Sequence, residues 1–153
     1  MLASILMGLV GGQRSMTPLA AVAVAAAGGH LPHDRAAPDF IRNPVIAAGA
    51  VTLALAELGG DKMKSAPDRI VPLGLAARMI MAGFACGSLA PRGQFWKGAA
   101  VGATTAVAAS YPGWYARITA MEEYGQTPTG LVEDAIVIAG ATAIIAGVSR
   151  DAI

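Results

Sequence analysis

Five apolar runs separated by short polar stretches organise the chain: residues 2–28, 43–60, 70–90, 95–116 and 130–149. Each approaches the ~20 residues that an α-helix needs to cross a bilayer core. Only 98–116 reaches that length without a charge; the other runs carry ionisable residues inside or at their edges. Hydrocarbon offers the backbone no hydrogen-bond partners, so spans through it are helical. The pattern predicts an all-α integral membrane helical bundle of about five spans, one domain over residues 1–153.

Helix starts repeat one device. Thr17-Pro18, Asn43-Pro44 and Thr127-Pro128 each put an N-cap residue before a proline, which suits the first helical position because no N–H is needed there. The first of these falls inside an apolar run, shortly after Gly11-Gly12. The first segment therefore reads as broken, with Gly12-Gln13-Arg14-Ser15-Met16 as irregular backbone at membrane depth. Lipid tolerates such backbone only when it is buried in protein or lines a cavity. The run has no cation before it and is interrupted by Arg14, so it reads as a retained membrane segment rather than a signal peptide. Gly8/Gly12, Gly83/Gly87 and Gly98/Gly102 are GxxxG pairs, which allow close helix approach. Trp96, Trp114 and Tyr115 flank the fourth run and suit the bilayer interfaces.

Composition sharpens this picture. Hydrophobic residues make up 55% and charged residues 14% of the chain, against about 25% charged in soluble domains. So small a soluble domain needs more polar surface than this. The net charge is +1, which leaves no basic excess to hold nucleic acid. The lone Cys86 forms no intramolecular disulfide and reads as a small buried side chain. His30 and His33 share a loop-like stretch but fall short of a metal-ligand set, and no metal or cofactor is expected. No GxSxG, HExxH, Walker A or GxGxxG motif occurs. With five spans, one side receives Lys62, Lys64, Arg69 and Arg117 and the other Arg35, Arg42, Arg92, Lys97 and Arg150. That near balance leaves orientation open, including dual insertion as an antiparallel dimer.

Charges inside spans are expensive and mark the candidate site. Arg14 lies in the break of the first segment, with Ser15 and Thr17 beside it. Together with the free amides of a helix N-terminus these make an anion site; the alternative is that Arg14 only neutralises Glu57 or Asp61. Glu57 and Asp61 stand at i, i+4 on one helix face, able to share a proton or hold a cation, or else to pair statically with Arg78 or Lys62. Glu133 and Asp134 open the last span, as site acids or as first-turn acids that complement the helix dipole. Arg14, Glu57, Asp61 and Arg78 are expected to converge on one interior site.

GGQRSMTP at 11–18, AELGGDKMKSAPDRIVP at 56–72, the following Arg78 and Gly83, and LVEDA at 131–135 resemble the domain of unknown function 4126 family of bacterial membrane proteins. Met63-Lys64 stands where that family has a hydrophobic residue and proline. The resemblance implies a multi-span protein of the bacterial inner membrane and carries no activity. A Thr-Pro start and an acid-bearing span in each half further suggest an inverted repeat, as in transporters. The expected function is a small transporter or channel, with Arg14, Ser15, Thr17, Glu57, Asp61, Lys62, Arg78, Glu133 and Asp134 as the site for an anionic or proton-coupled solute. Membrane lipids and further copies of the chain are the expected partners, because five short spans hardly enclose a path alone. The alternatives are an enzyme acting on a lipid headgroup and a structural subunit whose charges lock helices together.

Overall fold

The computed structural model describes residues 1–60 and 70–150. Their elements are α1 (Leu2–Gln13), α2 (Met16–Ala27), α3 (Pro44–Gly60), α4 (Pro72–Leu89), α5 (Phe95–Tyr124) and α6 (Gln126–Arg150), with a short 3-10 turn at Asp39–Arg42. The described residues are thus all-helical, and their one extended pairing is an isolated bridge between Arg35 and Pro91. α4 and α6 are long and apolar enough to cross a membrane; α1, α2 and α3 are apolar but shorter. α5 continues past the apolar run, through Pro112 to Tyr124.

Of the three proline-marked starts, one caps its helix as expected. Asn43 Oδ1 accepts the Val45 amide at 2.8 Å. The other two helices begin one residue before the threonine, at Met16 and Gln126. Proline is tolerated there because first-turn amides have no intrahelical acceptor in any case.

The interruption of the first segment falls on Arg14, whose backbone is extended (φ −138°, ψ 122°). The halves do not continue as one crossing. Along α6, Arg14 meets Asp134, Val10 lies against Gly140, and His30, just after α2, accepts a hydrogen bond from Ser149. Both arms therefore leave Arg14 in the same direction along α6, and α1–α2 is a helical hairpin with its apex at Arg14-Ser15. Contacts with α4 agree. Ser4 donates to the Cys86 carbonyl, Arg78 reaches Gly12, and the chain after α2 meets the end of α4 through Ala36 and Ala90. α1, α3 and α5 run toward the apex level, and α2, α4 and α6 run away from it, toward a common end called the rim below.

Small residues make this packing possible. The buried core is mostly alanine, with Met7, Val22, Leu31, Ile41 and Leu89 as its larger members. All three GxxxG pairs are used within the chain. Gly8 and Gly12 face α5, Gly83 and Gly87 face the first half of α5, and Gly98 and Gly102 face α4. They do not form a surface for a second copy. The large aliphatics point outward instead: Leu2, Leu9, Val45, Leu55, Leu73 and Ile136 are all exposed.

A Cβ on Gly98 would meet Ala90 and lie 2.8 Å from the Cys86 carbonyl oxygen, whereas one on Gly49 meets nothing within 4 Å. Gly98→Ala is expected to cost about 1–3 kcal/mol by overpacking. Gly49→Ala, on an open helix face, is expected to gain roughly 0.5–1 kcal/mol. Thermal unfolding of both variants in the same detergent checks the pair; equal melting temperatures would contradict the close α4–α5 contact.

Candidate functional site

A chain reversal between two helices strands carbonyls at the end of α1 and amides at the start of α2. Here each set meets a charge of opposite sign. Glu57, near the end of α3, takes the Ser15 amide on Oε1 and the Met16 amide on Oε2, both at 2.8 Å. The Ser15 hydroxyl donates to the same Oε1 at 2.7 Å. The carboxylate thus caps α2 from another helix, where the positive end of the dipole favours it. At the end of α1, Arg78 Nε donates to the Gly12 carbonyl at 3.2 Å. Ser110 Oγ is also 3.2 Å from that oxygen. Gln13 Nε2 donates to the Ala109 carbonyl at 3.2 Å and ties the apex to α5.

Arg14 is almost wholly enclosed, with 1% of its surface exposed. Its Nε and Nη2 both donate to Asp134 Oδ1, at 2.9 and 2.5 Å. Nη2 also lies 3.7 Å from Glu133 Oε2. That oxygen accepts Arg117 Nη1 at 2.6 Å. The order Arg117–Glu133–Arg14–Asp134 is an alternating chain of charges from α5 and α6 to the hairpin apex. With Glu57 and Arg78 included, three arginines face three carboxylates. Breaking a buried pair leaves an uncompensated charge, so each member holds its partner in place.

Of the residues expected in the site, Arg14, Ser15, Glu57, Arg78, Glu133 and Asp134 all stand at or beside the apex. Asp61 and Lys62 lie outside the described residues. The partners differ from expectation. Arg14 pairs with Asp134 and Glu133 rather than Glu57, its other expected partner Asp61 being outside the described residues, and Glu57 holds amides rather than Arg78. The α2 amides expected to bind an anion are already occupied by Glu57. Thr17 is buried, and its hydroxyl makes no hydrogen bond among the described residues. It lines an apolar groove of about 660 Å³ that follows α2 between α3 and α6. Arg117, Gln13 and Ser110 are the participants that sequence reasoning missed. Arg117 comes one residue after the charge-free run 98–116 and reads as a loop cation; α5 carries it helically to the apex, where it is buried.

No family model, no curated protein and no solved structure matches this chain.

Arg14→Ala strands Asp134 and is expected to lose about 3–5 kcal/mol of stability. Arg150→Ala, at an exposed position near the end of α6, is expected to change little. Adding Asp134→Ala to Arg14→Ala should recover a large part of the loss, because the carboxylate that Arg14 neutralised is then removed with it. Melting temperatures of the three variants and the parent form the test, and a double variant no better than Arg14→Ala would refute the pairing.

Proposed function

We propose that this chain is a small membrane transporter or channel in which the hairpin apex is the working site. On this reading α3, α4, α5 and α6 cross the bilayer, and α1–α2 enter from the rim side as a re-entrant hairpin. The expectation of five spans becomes four spans plus a hairpin, in the bacterial inner membrane implied by the motif resemblance. Three observations support the membrane setting. α4 and α6 have suitable length and composition. Many large aliphatic side chains point outward while alanine and the apex arginines Arg14, Arg78 and Arg117 lie inside. Exposed Trp96 and Tyr115 on α5 are 19 residues apart, about 28 Å along a helix, close to the ~30 Å hydrocarbon thickness.

The observation that carries the function is a break in helical backbone held among buried ionisable groups on three other helices. Re-entrant backbone of this kind is tolerated inside a membrane where it is enclosed or lines a path. From Arg78 to the end of α4 is 11 residues, about 16 Å, a depth that would put the apex well inside a bilayer that α4 crosses. Glu57 has three hydrogen bonds to the start of α2 and acts as the anchor. Glu133 and Asp134 are the groups suited to exchange. Each faces an arginine, and a proton on either carboxylate weakens its hold on that guanidinium, which an anionic solute can then engage. An arginine fork prefers carboxylate or phosphate groups, which defines the solute class. Proton and anion would then move together. The glycine pairs are used inside the chain, so contacts in a homo-oligomer would fall on the outward aliphatic rows.

Full pairing of the described apex charges favours a second reading, a structural subunit in which they only lock helices. Two variants separate the readings. Glu133→Gln and Asp134→Asn keep shape and remove the titrating proton. In liposomes carrying an internal pH dye, the parent is expected to acidify the lumen when small carboxylates or phosphate are added outside. Both variants should lose at least about tenfold of that rate while remaining folded and inserted. No anion-dependent proton flux in the parent, with a marked fall in melting temperature for both variants, would leave the lock.

A further inference from the structure

The eight described cations fall into two groups. Arg14, Arg78 and Arg117 belong to the apex; Arg35, Arg42, Arg92, Lys97 and Arg150 all stand at the rim. Three of the rim arginines converge. Arg35, Arg42 and Arg92 line one pocket of about 380 Å³ together with His33 and Asp39. Two connections build it. The chain after α2 and the chain after α4 clasp each other through Ala36 N–H to the Ala90 carbonyl at 2.8 Å and Arg92 N–H to the Asp34 carbonyl at 2.7 Å. The Arg35–Pro91 bridge lies between them. Gly93, at φ 80°, turns the second connection away from the clasp, in backbone that other residues rarely adopt. Arg35 and Arg92 are therefore fixed opposite each other by backbone.

The donors of these arginines are largely unused. A guanidinium carries five N–H groups. Arg35 gives one to the Leu89 carbonyl at 3.4 Å, and its buried Nε has no hydrogen-bond acceptor among the described residues. Asp34, mostly exposed, lies 3.5 Å from that Nε. Arg42 gives one N–H to the Leu31 carbonyl at 3.5 Å. Among the described residues Arg92 donates no side-chain hydrogen bond. One carboxylate, Asp39, shares the pocket with three guanidinium groups, so an excess of positive charge faces it.

Beside the pocket runs a row of aromatic rings. Phe40, Phe84, Phe95 and Trp96 follow one another with centroids 5.3–5.7 Å apart. Phe95 lines the pocket, while Phe40 and Trp96 at the two ends of the row are exposed. A polar basic pocket bordered by outward aromatic rings suits a molecule with a charged head and an apolar body.

The geometry points to this rim pocket as a binding site for a phosphate group carried on an anionic lipid headgroup, held by Arg35, Arg42 and Arg92. Arginine forks match phosphate oxygens and make charge-assisted hydrogen bonds with them. Cytoplasmic leaflets present anionic lipids. The rim then faces the cytoplasm. The lipid source rests on the membrane reading above; the phosphate chemistry of the pocket does not.

The test uses the full-length protein purified in a neutral detergent. Phosphatidylglycerol, phosphatidylcholine and inorganic phosphate are titrated separately, with bound adducts counted by native mass spectrometry and melting temperature followed in parallel. Phosphatidylglycerol is expected to form retained adducts and raise the melting temperature, and phosphatidylcholine is not. Arg42→Ala and Arg92→Ala should each weaken phosphatidylglycerol binding about tenfold, with lipid-free melting temperatures near the parent's. Lys97→Ala, an exposed rim cation that does not line the pocket, should stay within about twofold and so controls for diffuse attraction. Equal binding of the two lipids, or unchanged phosphatidylglycerol binding in both arginine variants, overturns the site. Inorganic phosphate that matches phosphatidylglycerol, with the same loss in the arginine variants, retains the phosphate site and overturns the lipid source. Should carbonate extraction release the protein from membranes, the membrane reading fails, while the inorganic phosphate arm still decides the pocket.

Discussion

Two helices that reverse on a single residue inside a packed assembly depend on how their exposed ends are satisfied. The backbone around Arg14 cannot turn to bulk water for hydrogen bonds, and an unmet buried polar group costs roughly 1–3 kcal/mol. Glu57 takes the amides at the start of α2, and Arg78 with Ser110 serves the Gly12 carbonyl. These groups come from α3, α4 and α5. The hairpin is therefore not a local motif that the other helices surround. Its geometry exists because three helices deliver a fitting charge or hydrogen-bond donor to each helix end, and their positions are fixed in return by the same bonds.

That constraint explains the composition. Charged side chains can meet at one level only if the helices approach closely enough for their reach. Alanine and glycine supply the approach: a Cβ at Gly12 would come within 2.6 Å of the Ala109 side chain and 2.7 Å of the Ala106 carbonyl oxygen. Bulkier core residues would separate α1 from α5 and carry Gln13 out of reach of the Ala109 carbonyl. The low aromatic and high alanine content thus follows from tight packing around polar contacts. Small and ionic residues fill much of the interior beside a few larger apolar side chains such as Val22, Leu31, Ile41 and Leu89, while many other leucines, isoleucines and valines lie outside.

The break itself was legible in GGQRSMTP, because two glycines, a cation and a proline-marked start interrupt an apolar run. The reversal was not. Hydrophobic runs record length and polarity, and a hairpin of two 12-residue arms has the same pattern as one kinked crossing. Direction is set by tertiary partners such as Asp134 and Ser149, more than a hundred residues away. The charged cluster was legible because each member interrupts apolar sequence, but its pairing was not. Glu57 could have met Arg14 or Arg78 by sign alone, and it instead satisfies backbone amides, which no side-chain pattern reveals. Arg117 was hidden by the assumption that a helix ends where its apolar run does. The glycine pairs were correctly read as close contacts, but sequence did not say that both sides of those contacts belong to the same chain.

The helices are not equally bound to this frame. α4 and α5 share the most extensive contact, and α1 packs along both. α6 touches α1, α2 and α5 only lightly, and much of its surface is exposed, including Leu131, Val132, Ile136 and Ile138. Among the described residues its attachments to the apex include the pairs of Asp134 with Arg14 and of Glu133 with Arg14 and Arg117. Apolar contact is non-directional, whereas these pairs join particular atoms of the two helices. The ion pairs therefore set the register of α6 against the hairpin. Each pair joins a helix that is packed firmly to one that is not. A change of charge at Glu133 or Asp134 thus acts where the structure has most freedom to respond, while the same change at Glu57 acts on the turn that holds the hairpin together.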